Sequence, residues 1–362
     1  MRTNRPVGHV PQAALLLSIL AVAGSGSCAA TPLDTFSPPT LRQLADIRGF
    51  TLGTALWENE AELAVYTNNP TYRQTVAAQY NNVNGKGQVA FLVVHPGPQQ
   101  YDFRNLDELV RFTQANGMSL HGTALLYWQG LPSWLTTGTF TKAQLLAVAQ
   151  DHITTVVSRY RGEIATWDVV NEVLNDAGDG FRSSIWLNTI GPEYIDSAFV
   201  WARRADPGAR LYLNEWGAEG TGTKADAVFG LAQTLKSRGV PIDGVGFQAH
   251  FTVTNAPLES DMSANLARFA DAGFDVRVSE LDVRLADSAG PDAFTRQAII
   301  YRDVLDACLR QARCVGFTSW GFSDRYSWIP IFFPGFGRAL PLDTAYTPKP
   351  AYDSLIARLS RP

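Results

Sequence analysis

Apolar runs of strand type alternate with amphipathic helical stretches along most of the chain. Phe50–Leu56, Ser119–Tyr127, Ile164–Asn171, Ala209–Trp216, Gly244–His250, Asp275–Leu281 and Val315–Trp320 read as strands, with a poorly marked one near Val83–Phe91. Between them, Leu106–Ala115, Lys142–Tyr160, Tyr194–Ala205, Ala225–Arg238, Met262–Ala272 and Ala293–Arg310 carry helical spacing with one apolar face. Strands separated by helices predict parallel βαβ units. Eight such units fit a single-domain α/β fold closed into a (β/α)8 TIM barrel. An open doubly wound sheet would carry a Gly-rich phosphate turn after its first strand, and none follows Leu56.

Active sites of such barrels lie at the C-terminal strand ends. The polar residues there form a coherent set: Asn171 and Glu172, Asn214 and Glu215, Gln248 and His250, Glu280 and Asp282, and Trp320. Burying an unpaired carboxylate is costly, so several acidic and amide residues at strand ends point to a site rather than a core. Cleavage of a glycosidic bond needs two carboxyl groups flanking it. One donates a proton to the leaving oxygen. In a retaining enzyme the other attacks the anomeric carbon from about 5–5.5 Å away. Glu172 and Glu280 each end an apolar strand and suit these roles, Glu172 as acid/base and Glu280 as nucleophile. Either one alone would read as a salt-bridged glutamate at a loop start; two on separate strand ends reverse that. Residues two apart on a strand share a face, which pairs Glu280 with Asp282 and Gln248 with His250. A His250 held between Glu280 and Asp282 would orient the nucleophile and keep it ionised; without that context it would be a hydrogen-bonded core histidine. Asn171 is placed to bind the sugar 2-hydroxyl.

Composition adds exclusions. The 362-residue chain carries a formal net charge of −4 with its basic residues scattered, which argues against nucleic acid as a partner. Its five histidines show no metal-type spacing, so a metal-dependent hydrolase is disfavoured and no cofactor is implied. The nine tryptophans suit core filling or the floor of a sugar cleft, and position must decide between them. A polysaccharide or oligosaccharide substrate is the partner the sequence implies, and a monomer is expected.

The N-terminus differs from the rest. Arg2 and Arg5 precede an apolar run from Ala13 to Ala23 and a small-residue stretch ending at Ala30. That succession reads as a secretory signal over residues 1–30, and its apolar run is too short to span a bilayer as a helix. A leader over 31–45 and a catalytic domain over 46–360 follow. The mature protein is expected outside the cytoplasm, secreted or periplasmic, with a lipid anchor at Cys28 as an alternative to free release. Cys308 and Cys314 would then meet an oxidising compartment and form a disulfide.

At this point the sequence resembles glycoside hydrolase family 10, the xylanase family. Trp167-Asp-Val-Val-Asn-Glu-Val-Leu-Asn-Asp176 is similar to its acid/base motif and Val278-Ser-Glu-Leu-Asp282 to its nucleophile motif. The likeness runs on through Gly53-Thr-Ala55, Leu131-Pro-Ser-Trp134, Gly239 to His250, Cys308 to Cys314, Thr318-Ser-Trp-Gly321, Ser327-Trp328 and Pro348 to Tyr352. It implies retaining endo-hydrolysis of β-1,4-linked glycans, usually xylan, and assigns Glu172, Glu280, Asn171, Gln248 and His250 the roles argued above. Trp320 and Trp328 match the aromatics around the sugar at the cleavage point. Tyr127, Trp128, Thr123 and Asn214 complete the expected substrate contacts.

The departures lie on the glycone side. A Glu-Asn-x-x-Lys stretch usual in the family is matched by Lys86, Gly87 and Ala90. Its third strand, Gly-His-Thr-Leu-Val-Trp-His, reads Gly122-Thr-Ala-Leu-Leu-Tyr-Trp128 here. Removing hydrogen-bond partners disfavours a sugar that needs them. A retaining β-glycosidase acting on another glycan is therefore the rival reading. A non-catalytic carbohydrate-binding barrel is a third, opposed by the intact pair of carboxylates.

Overall fold

The computed structural model describes residues 38–56 and 60–361. Eight parallel strands form the barrel: β1 (Leu52–Ala55), β2 (Asn82–Asn84), β3 (Ser119–Leu126), β4 (Thr166–Asn171), β5 (Arg210–Glu215), β6 (Gly244–Phe247), β7 (Asp275–Ala286) and β8 (Cys314–Ser319). Each pairs with the next, and β8 returns to β1 with Leu52 opposite Phe317 and Thr54 opposite Ser319. Closure leaves no strand edge for another chain to pair with. The (β/α)8 barrel expected from the alternation is the fold observed.

The helices pack outside the barrel by the apolar stripes that predicted them. Arg104–Ala115 buries Leu106, Leu109, Val110 and Phe112. Lys142–Arg159 buries Leu145, Ala149, Ile153, Val156 and Val157, and starts in a capping box between Thr141 and Gln144. Gly122 faces Trp167 across β3 and β4, and a Cβ there would stand 2.3 Å from the fully buried indole.

Three boundaries differ from the sequence reading. The strand expected near Val83–Phe91 stops at Asn84, and Lys86–Val89 and Phe91–Val94 are short helices. Asn84-Gly-Lys-Gly87 turns the chain there, with Lys86 at a positive φ of 32°. Phe91 and Val94 then face the core at helical spacing. Strand β7 runs past Leu281 to Ala286, because its outer half pairs with a short strand, His250–Thr252, in the register His250 opposite Asp282. A helix, Leu41–Ile47, occupies part of the segment read as leader; Leu41 and Ala45 are fully buried against the barrel, and Arg48 Nε donates to the Leu359 carbonyl at 2.7 Å.

Cys308 and Cys314 are joined by a disulfide that ties the end of helix Pro291–Leu309 to the start of β8, with Cα atoms 5.4 Å apart. The N-terminal export segment and Cys28 lie outside the described residues. Among the described residues no helix is long and apolar enough to cross a membrane.

Candidate active site

Below the mouth the barrel interior is polar. Asp168 on β4 receives Nε2 of His121 at 3.0 Å and the Thr123 hydroxyl at 2.5 Å. Thr123 in turn accepts from Asn84 Nδ2 at 2.8 Å. Burial and the nearby Arg277 hold His121 below its usual protonation range, with the Asp168 carboxylate opposing them. Thr123, expected as a substrate contact, thus has its hydroxyl committed inside the barrel.

Glu280 lies at the top of β7, buried, with both oxygens occupied. Asn214 Nδ2 donates to Oε1 at 2.6 Å, and His250 Nε2 stands 3.1 Å from Oε2. The other ring nitrogen of His250 is 3.0 Å from Asp282 Oδ2, which also accepts Trp328 Nε1 at 2.7 Å. Burial alone would lower the imidazolium. The Asp282 and Glu280 carboxylates outweigh it and push His250 up to about 10. Burial raises Glu280 above the ordinary glutamate range, and the hydrogen bond and charge of His250 oppose that rise. The Glu280–His250–Asp282 arrangement read from the two-residue spacing is therefore present.

Glu172 follows β4 in the left-handed region at φ 55°, a conformation a non-glycine residue adopts at a cost of about 1 kcal/mol or more. Its amide is held by the Asn214 carbonyl at 2.9 Å. Three donors surround its carboxylate: Tyr127 OH at 3.1 Å and Gln248 Nε2 at 3.2 Å on Oε1, and Trp128 Nε1 at 3.0 Å on Oε2. Tyr127 and Trp128, expected as substrate contacts, donate to this carboxyl group. One face of the Trp128 indole carries the Arg182 guanidinium, 5.0 Å from the ring centroid, and Arg182 Nε donates to the Glu172 carbonyl at 3.1 Å.

Asn171 Oδ1 accepts from Asn214 Nδ2 at 2.9 Å and from Gln248 Nε2 at 3.2 Å, which turns its own amide nitrogen toward the mouth as a donor. Asn214, expected as a substrate contact, spends both ends of its amide on Asn171, Glu280 and the Ser279 hydroxyl. It bridges the supports of the two carboxylates. Ala249, at φ 65°, breaks the strand between Gln248 and His250. That break lets Gln248 reach Glu172 while His250 reaches Glu280. Trp320 and Trp328 wall the site with ring centroids 6.2 and 5.0 Å from that of His250. Lys86 Nζ stands 4.9 Å from the Trp320 ring.

The loop after β5 was underestimated by the sequence reading. Glu215, one of the strand-end polar residues, has a carboxylate that accepts the Leu174 amide and pairs with Lys224. Glu219 accepts the Ala249 amide at 2.8 Å. Nothing in the sequence spacing marks out Lys224, which sits in the first turn of helix Thr223–Ser237.

Two glutamates at the ends of β4 and β7, Glu172 half-buried and Glu280 buried, each carry their own hydrogen-bond set, and the family model for glycosyl hydrolase family 10 matches residues 40–358. The chain belongs to glycosyl hydrolase family 10. This family 10 chain is 38% identical over 307 residues to endo-1,4-β-xylanase B of Thermotoga neapolitana, spanning 84% of this chain and 86% of that one. It is 38% identical over 279 residues to an endo-1,4-β-xylanase of Agaricus bisporus, 77% of this chain and 83% of the relative. The crystal structure of xylanase 10B from Thermotoga petrophila RKU-1 in complex with xylobiose superposes with a TM-score of 0.86 at 37% identity, covering 90% of this chain and 98% of that one. The protein is a glycoside hydrolase on a family 10 barrel.

Proposed function

We propose that this enzyme is a retaining endo-β-1,4-xylanase in which Glu280 is the nucleophile and Glu172 the acid/base. In the first step a Glu280 oxygen attacks the anomeric carbon as the glycosidic C–O bond breaks, and Glu172 gives its proton to the departing oxygen. A glycosyl ester on Glu280 results. Glu172, now ionised, takes a proton from water as that water attacks the same carbon and releases Glu280. The observation that carries this reading is the asymmetry of the two carboxyl groups. Glu280 is fixed by Asn214 and a cationic His250, as a standing anion needs. Glu172 is held by uncharged hydroxyl, indole and amide donors, which stabilise the carboxylate left when it gives up its proton. The amide nitrogen of Asn171 is placed to bind the 2-hydroxyl, and Trp320 and Trp328 to enclose the ring at the cleavage point.

The test is chemical rescue. Glu280→Ala should abolish turnover and, with azide, give the inverted α-glycosyl azide. Glu172→Ala should spare substrates with good leaving groups and give the β-azide. Swapped stereochemistry between the two would reverse the assignment, and inversion by the wild type would reject the mechanism.

One set of observations favours a second reading, a retaining β-glycosidase on a different glycan. Gly87 and Ala90 offer no polar side chain, and Thr123 is committed to Asn84 and Asp168. Reducing-sugar release across xylan, mixed-linkage glucan, cellulose and aryl β-glycosides separates the two. Export is part of the proposal. It is supported by the basic, apolar and small-residue succession at the N-terminus, and the intact mass of the mature protein checks it.

A further inference from the structure

Behind the acid/base lies a buried ion pair that the steps above do not use. Glu215, the last residue of β5, is fully buried; Lys224, on the first turn of helix Thr223–Ser237, is 6% exposed. Glu215 Oε2 is 3.1 Å from Lys224 Nζ, and Oε1 accepts the backbone amide of Leu174 at 2.8 Å. Leu174 stands two residues after Glu172. It opens a small hairpin in which Leu174 pairs with Phe181, and the turn of that hairpin rests on Lys224. At Gly178, φ 75°, a Cβ would fall 2.5 Å from the Lys224 Cα. The ammonium also stands 4.3 Å from the Trp216 ring.

As a stability device this pair is poorly placed. A cation at a helix N-terminus opposes the helix dipole, and a buried ion pair recovers little of its desolvation cost. Its geometry suits a different job. The acid/base segment leaves β4 in a left-handed turn and is pinned to β5 at two points, Glu172 N on the Asn214 carbonyl and Leu174 N on the Glu215 carboxylate. Burial pushes Glu215 up to about 7, and the Lys224 ammonium and the Leu174 amide both oppose that rise. The other titratable groups facing it are Glu172 and Tyr194.

We propose that Glu215 and Lys224 are positioning residues that set where the Glu172 carboxyl group stands relative to the departing oxygen, by holding the backbone just beyond it. The proposal rests on Glu172 being the acid/base. Proton donation is sensitive to placement, whereas nucleophilic attack by Glu280 on a substrate whose leaving group needs no proton is not.

The experiment compares kcat/KM on xylopentaose with kcat/KM on 2,4-dinitrophenyl β-xylobioside, for the full-length enzyme and its variants. Glu215→Ala should lose at least tenfold on xylopentaose and less than threefold on the dinitrophenyl substrate. Glu215→Gln keeps an acceptor for the Leu174 amide and should recover much of the loss. Lys224→Met should show the same selectivity with a smaller factor. It also carries the test if Glu215→Ala does not fold. Equal losses on both substrates, with no recovery in Glu215→Gln, would reduce the pair to a structural role and overturn the proposal. So would unchanged rates. Glu172→Ala run alongside separates the two readings. If it loses both substrates equally, the acid/base assignment itself falls and takes this proposal with it.

Discussion

Tyr127 and Trp128 show how two adjacent side chains can change what a site does with a proton. Both donate to Glu172, one to each oxygen, and a hydrogen bond to a charged group contributes about 1.5–3 kcal/mol. Such bonds strengthen as Glu172 gives up its proton. We expect Tyr127→Phe and Trp128→Phe each to lower kcat on unactivated xylo-oligosaccharides by roughly tenfold, since each 1.4 kcal/mol is tenfold. Steady-state kinetics with circular dichroism as a folding control checks this. Glu280 yields a pH prediction. Its burial raises its proton affinity, and His250, charged up to about 10, opposes that. The proposed mechanism needs Glu280 ionised, so kcat/KM should fall as pH drops through the raised value. His250→Asn removes the opposing charge and should move that acid limb to higher pH by roughly one unit or more. An unmoved limb would show that another group titrates there. Glu280 and Asp282 were legible because strand alternation puts them on one face; Gln248 and His250 were marked by their place at a strand end, but the turn at Ala249 separates them and sends each to a different glutamate. The grip of Tyr127 and Trp128 on Glu172 was not legible, because it depends on how the chain turns after β3.

At the level of elements, apolar periodicity located most strands and helices within a few residues of their observed ends. It failed at β2, where Asn84-Gly-Lys-Gly87 turns the chain while the apolar run continues to Val94. An apolar run without a clear period does not distinguish a buried strand from short helices. The boundary at the N-terminal helix was missed for a different reason. Leu41–Ile47 follows two prolines, which read as leader, while its burial depends on the distant C-terminal helix. Pairing across the barrel yields a stability prediction. Gly122→Ala would drive a methyl group into Trp167, and overpacking of this kind costs roughly 1–3 kcal/mol. Thermal unfolding should show a midpoint lower by several degrees. A midpoint unchanged within a degree would mean that the indole has room to shift.

Across the whole molecule, the hydrolytic half of the cleft follows the family pattern while the glycone half departs from it. Each lost sugar hydrogen bond costs roughly 0.5–1.5 kcal/mol. With Gly87, Ala90 and Thr123 all unable to supply the usual contacts, kcat/KM on xylohexaose should fall about two orders of magnitude below that of a typical family member. Lys86 keeps a cation beside Trp320, four positions earlier than the family lysine. Trp128 offers less stacking surface than its sequence position suggested, because Arg182 covers one face. A substrate panel decides the matter, and a rate on xylohexaose typical of the family, unmatched by other glycans, would show that the contacts are restored elsewhere.

The contact between Arg48 and the Leu359 carbonyl places the chain entering β1 beside the end of the C-terminal helix. Arg48 lies just before β1, so this meeting point is at the foot of the barrel, opposite the mouth where Glu172 and Glu280 stand. A tether, a resin or a fused module attached at the C-terminal end would therefore leave the cleft facing outward. Leu41 and Tyr352 both bond Gln79 Oε1, so the helix Leu41–Ile47 runs parallel to Pro350–Leu359. A linker from Arg361 back to Pro39 long enough to run back along that helix, roughly 15 Å, with the chain opened instead at an exposed turn such as Thr137–Thr139, should give a circular permutant that still hydrolyses its substrate.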